Sequence, residues 1–165
     1  MKNTFMIASA LVVAFPLFAQ AATLKFPSDA PVATVTIPDS WGPKETDSGI
    51  DATSDDSAVY LSIDVADAKT TDKVVSDAID FLSKNGVTID PATQKDEGEN
   101  TINGMKMSIL GWQGTDKDGP VDIELAFLAP NPDKLLVLTY WGSKDSDSKH
   151  DKELTAILSS LAPAK

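Results

Sequence analysis

A strict alternation of apolar and charged side chains restricts a chain more than any other short pattern, and residues 121–127 carry one. Val121, Ile123, Leu125 and Phe127 alternate with Asp122, Glu124 and Ala126. A period of two is the period of a β-strand, so this stretch is predicted to be a half-buried antiparallel strand. Its large apolar side chains would face the core and its two carboxylates water. Residues 105–112 and 135–141 have strand-like patterns on either side of it, within hairpin distance. The three are expected to form a meander.

Earlier in the chain, Ala33, Val35 and Ile37 share one face of a short run, and Val59, Leu61, Ile63 and Val65 share one face of another. Weaker strands are expected at residues 23–27 and 49–53. Between them, Pro38-Asp39-Ser40-Trp41-Gly42-Pro43 combines a fixed φ with side chains that bond their own backbone, a turn that would tuck Trp41 against the sheet. Residues 70–85 change period: Val74, Val75, Ala78, Ile79 and Leu82 recur at helical spacing, Thr70 or Thr71 can cap, and Gly86 supplies a left-handed stop. Asp80 and Lys84 stand one turn apart on its outer face, as an ion pair would require. Asp90-Pro91 interrupts a strand beginning at residues 87–89, and residues 93–100 read as a polar edge strand. Asn103-Gly104 is a tight hairpin turn. Met105, Met107 and Ile109 point one way from the next strand and Leu110 and Trp112 the other, where Ala126, Leu128 and Tyr60 are expected to join them. That second apolar surface needs a cover. A closing helix over residues 148–161, with Leu154, Ile157, Leu158 and Leu161 as its stripe and Pro163 beyond it, is the candidate. The fold class is α+β: a mostly antiparallel sheet of about six or seven strands with one helix on each face.

Near its start the chain has Lys2, a short apolar run over residues 5–18 and Ala19-Gln20-Ala21, the pattern of a signal peptide cleaved after Ala21. That run is too short to span a bilayer. Residues 1–21 are therefore assigned to the signal and residues 22–165 to one domain, exported to the periplasm or secreted, without stable membrane insertion after cleavage. Cysteine is absent, which removes disulfides and thiolate chemistry. The net charge is −11 and every basic residue is Lys. A field of that sign repels nucleic acid, and without Arg the chain lacks the planar fork that best clamps phosphate.

Catalytic patterns are sparse. His150, the one histidine, stands in a highly charged segment and is expected on a solvated face. No Gly-x-Ser-x-Gly elbow and no glycine-rich loop leading into a helix is present. One His and no Cys leave carboxylates as the main metal donors. Calcium spacings fail in detail: Lys149 follows Asp145 and Asp147 where a ligand is wanted, Pro120 follows Asp116 and Asp118, and Asp51, Thr53 and Asp55 lack the loop glycine and closing Glu. Asp122 and Glu124 lie about 7 Å apart along their strand, within range for glycoside chemistry, with solubility as the simpler reading. Trp41, Tyr60, Trp112, Tyr140 and Trp141 fall near strand ends and turns, where they fill the core or line a shallow groove for a ligand or partner.

The early strand ending in Ile37-Pro38-Asp39-Ser40-Trp41, the single mid-chain helix, Ile102-Asn103-Gly104 opening a meander, Thr139-Tyr140-Trp141, and a last helix with Ile157-Leu158-Ser159-Ser160-Leu161 together resemble the PsbP-like family. That family includes DcrB-like periplasmic proteins of bacteria and shares its fold with Mog-type nuclear-import factors. The resemblance implies a helix-flanked sheet and a non-catalytic accessory role with an unidentified protein partner or small ligand, and transfers no active-site residue. No cofactor and no resident metal are expected, and the chain is expected to be monomeric. A carboxylate-based hydrolase and an acidic calcium-responsive protein are the alternatives.

Overall fold

The computed structural model describes residues 21–144 and 147–165. All of the expected signal peptide, residues 1–21, except Ala21 lies outside the described residues, as do Asp145 and Ser146. Among the described residues ten strands and two α-helices follow one another: β1 (Ala21–Phe26), β2 (Ala33–Pro38), a 3-10 turn at Asp39–Trp41, β3 (Lys44–Glu45), β4 (Gly49–Thr53), β5 (Val59–Ala66), α1 (Thr71–Lys84), β6 (Thr88–Ile102), β7 (Met105–Asp116), β8 (Gly119–Asn131), β9 (Lys134–Ser143), α2 (Asp147–Ser160) and β10 (Ala162–Pro163). The fold is α+β, with an antiparallel seven-stranded sheet ordered β3-β4-β5-β9-β8-β7-β6.

A second sheet, ordered β1-β2-β10, corrects the expectation of a single one. Pro163 does follow α2, but the chain then pairs Ala162 and Pro163 with Thr34 and Ala33. Proline tolerates this because β10 is an edge strand, where the missing N–H breaks no ladder. Alternation along β2 buries Ala33, Val35 and Ile37 against the large sheet, together with Phe26, Trp41, Ile63, Met105, Leu128, Leu136, Ile157 and Leu161. Each large aliphatic group buried there stabilises by about 1.5–3 kcal/mol before entropy is counted.

Residues paired directly across antiparallel strands share a face, and the register sorts the side chains of the large sheet. Met107 pairs with Leu128 and Leu128 with Leu136, while Ile109 pairs with Ala126 and Ala126 with Leu138. These face α2 and the small sheet. Trp112 pairs with Ile123 and Ile123 with Trp141, which pairs with Tyr60. They face α1, whose Leu82 packs with Val87, Val121 and Ile123. Ala126 and Leu128 therefore lie on the Met107 face rather than on the face of Leu110, Trp112 and Tyr60, contrary to the sequence reading. Within α1 the ion pair joins Lys73 to Asp77, not Asp80 to Lys84.

Three details set the shape of the α2 side. Register shifts in β6 between Asp90 and Lys95 and between Asp96 and Gly98 bulge this edge strand, where Pro91 has no N–H to donate. Thr93 bridges the first bulge: its Oγ1 accepts from Gln113 N at 2.8 Å and donates to Asp90 O at 2.7 Å. At the β6–β7 turn Asn103 and Gly104 take positive φ of 47° and 84°. The Asn103 amide also donates to Ser159 O and Leu161 O, both at 2.8 Å, and so ties the end of α2 to the hairpin.

Candidate functional site

Between the large sheet and α2 lies a half-open cavity of about 460 Å³. Its floor follows from the register. One cross-strand row runs Lys95, Gly111, Glu124, Tyr140, Leu61, and the next runs Gln113, Asp122, Gly142, Val59. Gly111 and Gly142 are glycines inside strands, a position that weakens a strand unless something approaches closely. Both have such a neighbour. A Cβ on Gly111 would come 3.1 Å from the Glu97 carboxylate, and one on Gly142 would overlap the Tyr140 hydroxyl. Glu97 and Tyr140 therefore lie across the sheet surface where side chains would otherwise stand, and both line the cavity.

The lining is divided by chemistry. Leu61, Met107, Ile109, Ala126 and Leu138 of the sheet and Leu154 and Leu158 of α2 are apolar, whereas Glu97, Asp122, Glu124 and Asp151 are acidic. Lys95 is the one basic residue among the lining residues. Asp122 and Glu124 thus stand half-buried on the α2 face, not on an open solvated face as alternation alone suggested. Val121, Ile123 and Leu125 are buried on the opposite, α1 face, as the pattern demanded.

The five aromatic candidates separate. Trp41 is 2% exposed, held in the core by its 3-10 turn with Gly42 in the left-handed conformation, and it meets the His150 ring edge-on at 5.6 Å. Tyr60 and Trp141 are on the α1 side, where Tyr60 stacks on Phe81 with centroids 4.8 Å apart. Burial, with the neighbouring charges of Asp51 and Asp64, outweighs a hydrogen bond with Ser62 and pushes the Tyr60 hydroxyl up to about 12, so it stays neutral at physiological pH. The Trp141 indole N–H donates to Asp116 Oδ2 at 3.2 Å. Trp112 is half-buried beside the Leu82 cluster and reaches the edge of the cavity, and Tyr140 lines it. Successive residues of a strand point to opposite faces, so Tyr140 and Trp141 cannot serve one groove.

His150 is the clearest correction: it is 2% exposed, not solvated. Its Nδ1 lies 2.6 Å from Glu153 Oε2 and its Nε2 3.1 Å from Asp56 Oδ1. Burial favours the neutral ring, but the hydrogen bonds and charges of Glu153 and Asp56 prevail and raise its pKa above the ordinary value. Asp56 also binds Lys149 Nζ and accepts from Ser54 Oγ at 2.8 Å and Ala58 N at 3.1 Å, and these donors hold its carboxyl far below the usual range. Asp55, Asp56 and His150 place one donor atom each within 4.8 Å of one another, the set that could hold a metal among the described residues. Asp56 already has four partners there, so the cluster reads as an anchor for the start of α2. Among those residues no helix is long and apolar enough to cross a membrane.

No protein-family model matches this sequence, and no curated protein is similar to it. Solved structures are. The cyanobacterial PsbP (CyanoP) of Synechocystis sp. PCC 6803 superposes with a TM-score of 0.59 at 11% identity, covering 95% of this chain and 98% of its own. This chain has the PsbP-like fold. LpqN of Mycobacterium tuberculosis, a protein involved in cell envelope biogenesis, superposes at 0.55 with 13% identity, covering 88% of this chain and 91% of its own. At such identities the likeness is one of fold alone, as the resemblance of strand ends and turns implied.

Proposed function

We propose that the chain is an exported, non-catalytic accessory protein, monomeric, that binds a small ligand or a partner segment in the cavity between its large sheet and α2. The observation that carries this reading is the cavity's make-up: an aliphatic floor within a rim of four carboxylates, of a size that suits a small ligand. Chemistry by the usual general base has little place in it. The one histidine is buried outside the lining, with both ring nitrogens engaged. The signal-like start of the sequence, and a fold also found in a protein of cell envelope biogenesis, support export.

Fractionation of the native host with intact-mass measurement tests the first half. The reading expects a chain beginning at Ala22 outside the cytoplasm; a cytoplasmic chain retaining Met1 contradicts it. Ligand binding that Gly111→Leu abolishes, with the fold retained, tests the second half. A carboxylate-based hydrolase remains the second reading, because Asp122 and Glu124 converge on the same cavity. Turnover of a glycoside that D122N or E124Q abolishes would put it in first place.

A further inference from the structure

A second pocket, of about 210 Å³, lies on the opposite face of the large sheet, under α1. Its floor is polar where a helix-covered sheet is ordinarily apolar. Asp51 pairs with Ser62 and Ser62 with Thr139, so the three side chains share the α1 face. Val74, Ala78 and Phe81, a stripe at helical spacing, supply the α1 wall. Thr139 lines this pocket, is 1% exposed, and has a hydroxyl with no hydrogen-bond partner among the described residues. A buried polar group in that state is uncommon and costs free energy.

The carboxylates around Thr139 differ from it, because each already has a partner. Asp51 stands across the strand pair from Lys44, Asp64 accepts from Ser48 Oγ at 2.5 Å and Ser62 Oγ at 3.1 Å, and Asp77 is ion-paired with Lys73. The pocket therefore does not require a cation, and three carboxylates with no basic residue among the lining residues repel an anion. A hydrocarbon would leave the Thr139 hydroxyl unserved. A ligand hydroxyl suits both kinds of group: it can donate to or accept from Thr139, and donate to lone pairs that the carboxylates still hold. Phe81 completes the wall. Its ring stacks on Tyr60 with centroids 4.8 Å apart, and the residue is still 36% exposed. A ring with C–H bonds on its face and hydroxyls at its edge can lie against that aromatic while its hydroxyls reach the row. The volume is below the roughly 300–1,000 Å³ of sites for drug-sized ligands, which suits one ring.

We propose that the pocket under α1 binds a single sugar or cyclitol ring, with Thr139, Ser62 and Asp51 receiving its hydroxyls and Phe81 packing against its C–H face. This site is separate from the cavity on the α2 side, and neither reading needs the other.

Amide shift titration of the labelled protein with D-glucose, D-galactose, D-mannose, N-acetyl-D-glucosamine and myo-inositol tests this. At least one should shift Ser62, Ala78, Phe81 and Thr139 saturably and leave Gly111, Leu154 and Leu158 unmoved, with affinity about tenfold weaker in T139V and in F81A. Thr139→Val removes a hydroxyl that has no partner in the free protein, so urea denaturation should find the variant at least as stable as the wild type. A less stable T139V shows that the hydroxyl is already partnered and overturns the proposal, and wild-type affinity in either variant also refutes it. Should T139V fail to fold, F81A decides. Shifts at Gly111, Leu154 and Leu158 alone move the sugar to the other cavity and overturn the assignment. No saturable shift with any of the five overturns it too and leaves Thr139 to a water molecule. Choline binding there without sugar binding makes the pocket a cation site and refutes the neutral-ring class.

Discussion

Asn103 links the turn chemistry of β6–β7 to the position of α2, and its replacement by glycine isolates that link. The residue sits at φ 47° and its amide donates to Ser159 O and Leu161 O. Glycine adopts positive φ without strain, so Asn103→Gly keeps the turn and removes both donors. A net hydrogen bond of this kind contributes about 0.5–1.5 kcal/mol. Ser159 is exposed, so its carbonyl can turn to water, whereas Leu161 is fully buried and its carbonyl loses more. The sum expected is about 2 kcal/mol, equivalent to a fall in Tm of about 4–8 °C for a domain of this size. Asn103→Ala should cost roughly a further 1–2 kcal/mol, because a Cβ at positive φ is strained. Urea denaturation and calorimetry of both variants measure these differences. If Asn103→Gly matches the wild type within about 0.5 kcal/mol, the amide does not hold α2; if alanine and glycine variants coincide, the turn strain is absent.

Three further outcomes follow from the packing and the charges. The His150 pKa is raised above its ordinary 6.5, so the folded state gains stability in acid that is complete below that value and lost as pH rises through the raised folded pKa; H150Q should flatten this alkaline limb of a Tm-against-pH curve, and an unchanged limb refutes the role. Asp56 is lowered from 3.8, so its contribution is present above that pH and lost as pH falls through the folded pKa; D56N should remove that acid limb, read from the same curves. Gly49→Ala should prevent stable folding, because a Cβ there overlaps the Ile63 carbonyl oxygen, whereas Gly111→Ala, which meets only the flexible Glu97 side chain, should shift Tm by a few degrees at most. Equal Tm values for the two glycine variants would contradict the distinction.

Local periodicity made most of this fold legible. The helix expected over residues 70–85 is α1 at Thr71–Lys84, and the meander is β7, β8 and β9, because period and caps are properties of adjacent residues. What the pattern could not reveal is which face of a strand becomes covered. Alternation along β8 separates Ile123 from Glu124 correctly, but only pairing with β7 and β9 shows that Glu124 stands between Gly111 and Tyr140 in the lining of the cavity. The second sheet escaped notice because β10 is two residues long and contains proline. His150 looked solvated because its neighbours in sequence are charged; its burial depends on Trp41 and Asp56, both far away along the chain. Gly111 was the available signal for the cavity, as a glycine inside an otherwise regular strand marks a close approach.

Amide shift mapping tests the central claim most directly, since it locates binding residue by residue. Titrating isotope-labelled protein with the neutral apolar dye N-phenylnaphthylamine should move the resonances of Gly111, Glu124, Tyr140, Leu154 and Leu158 and leave Tyr60 and Phe81 on the α1 side unmoved. Shifts confined to the α1 side, or scattered over exposed acids with none at the cavity floor, would contradict the account.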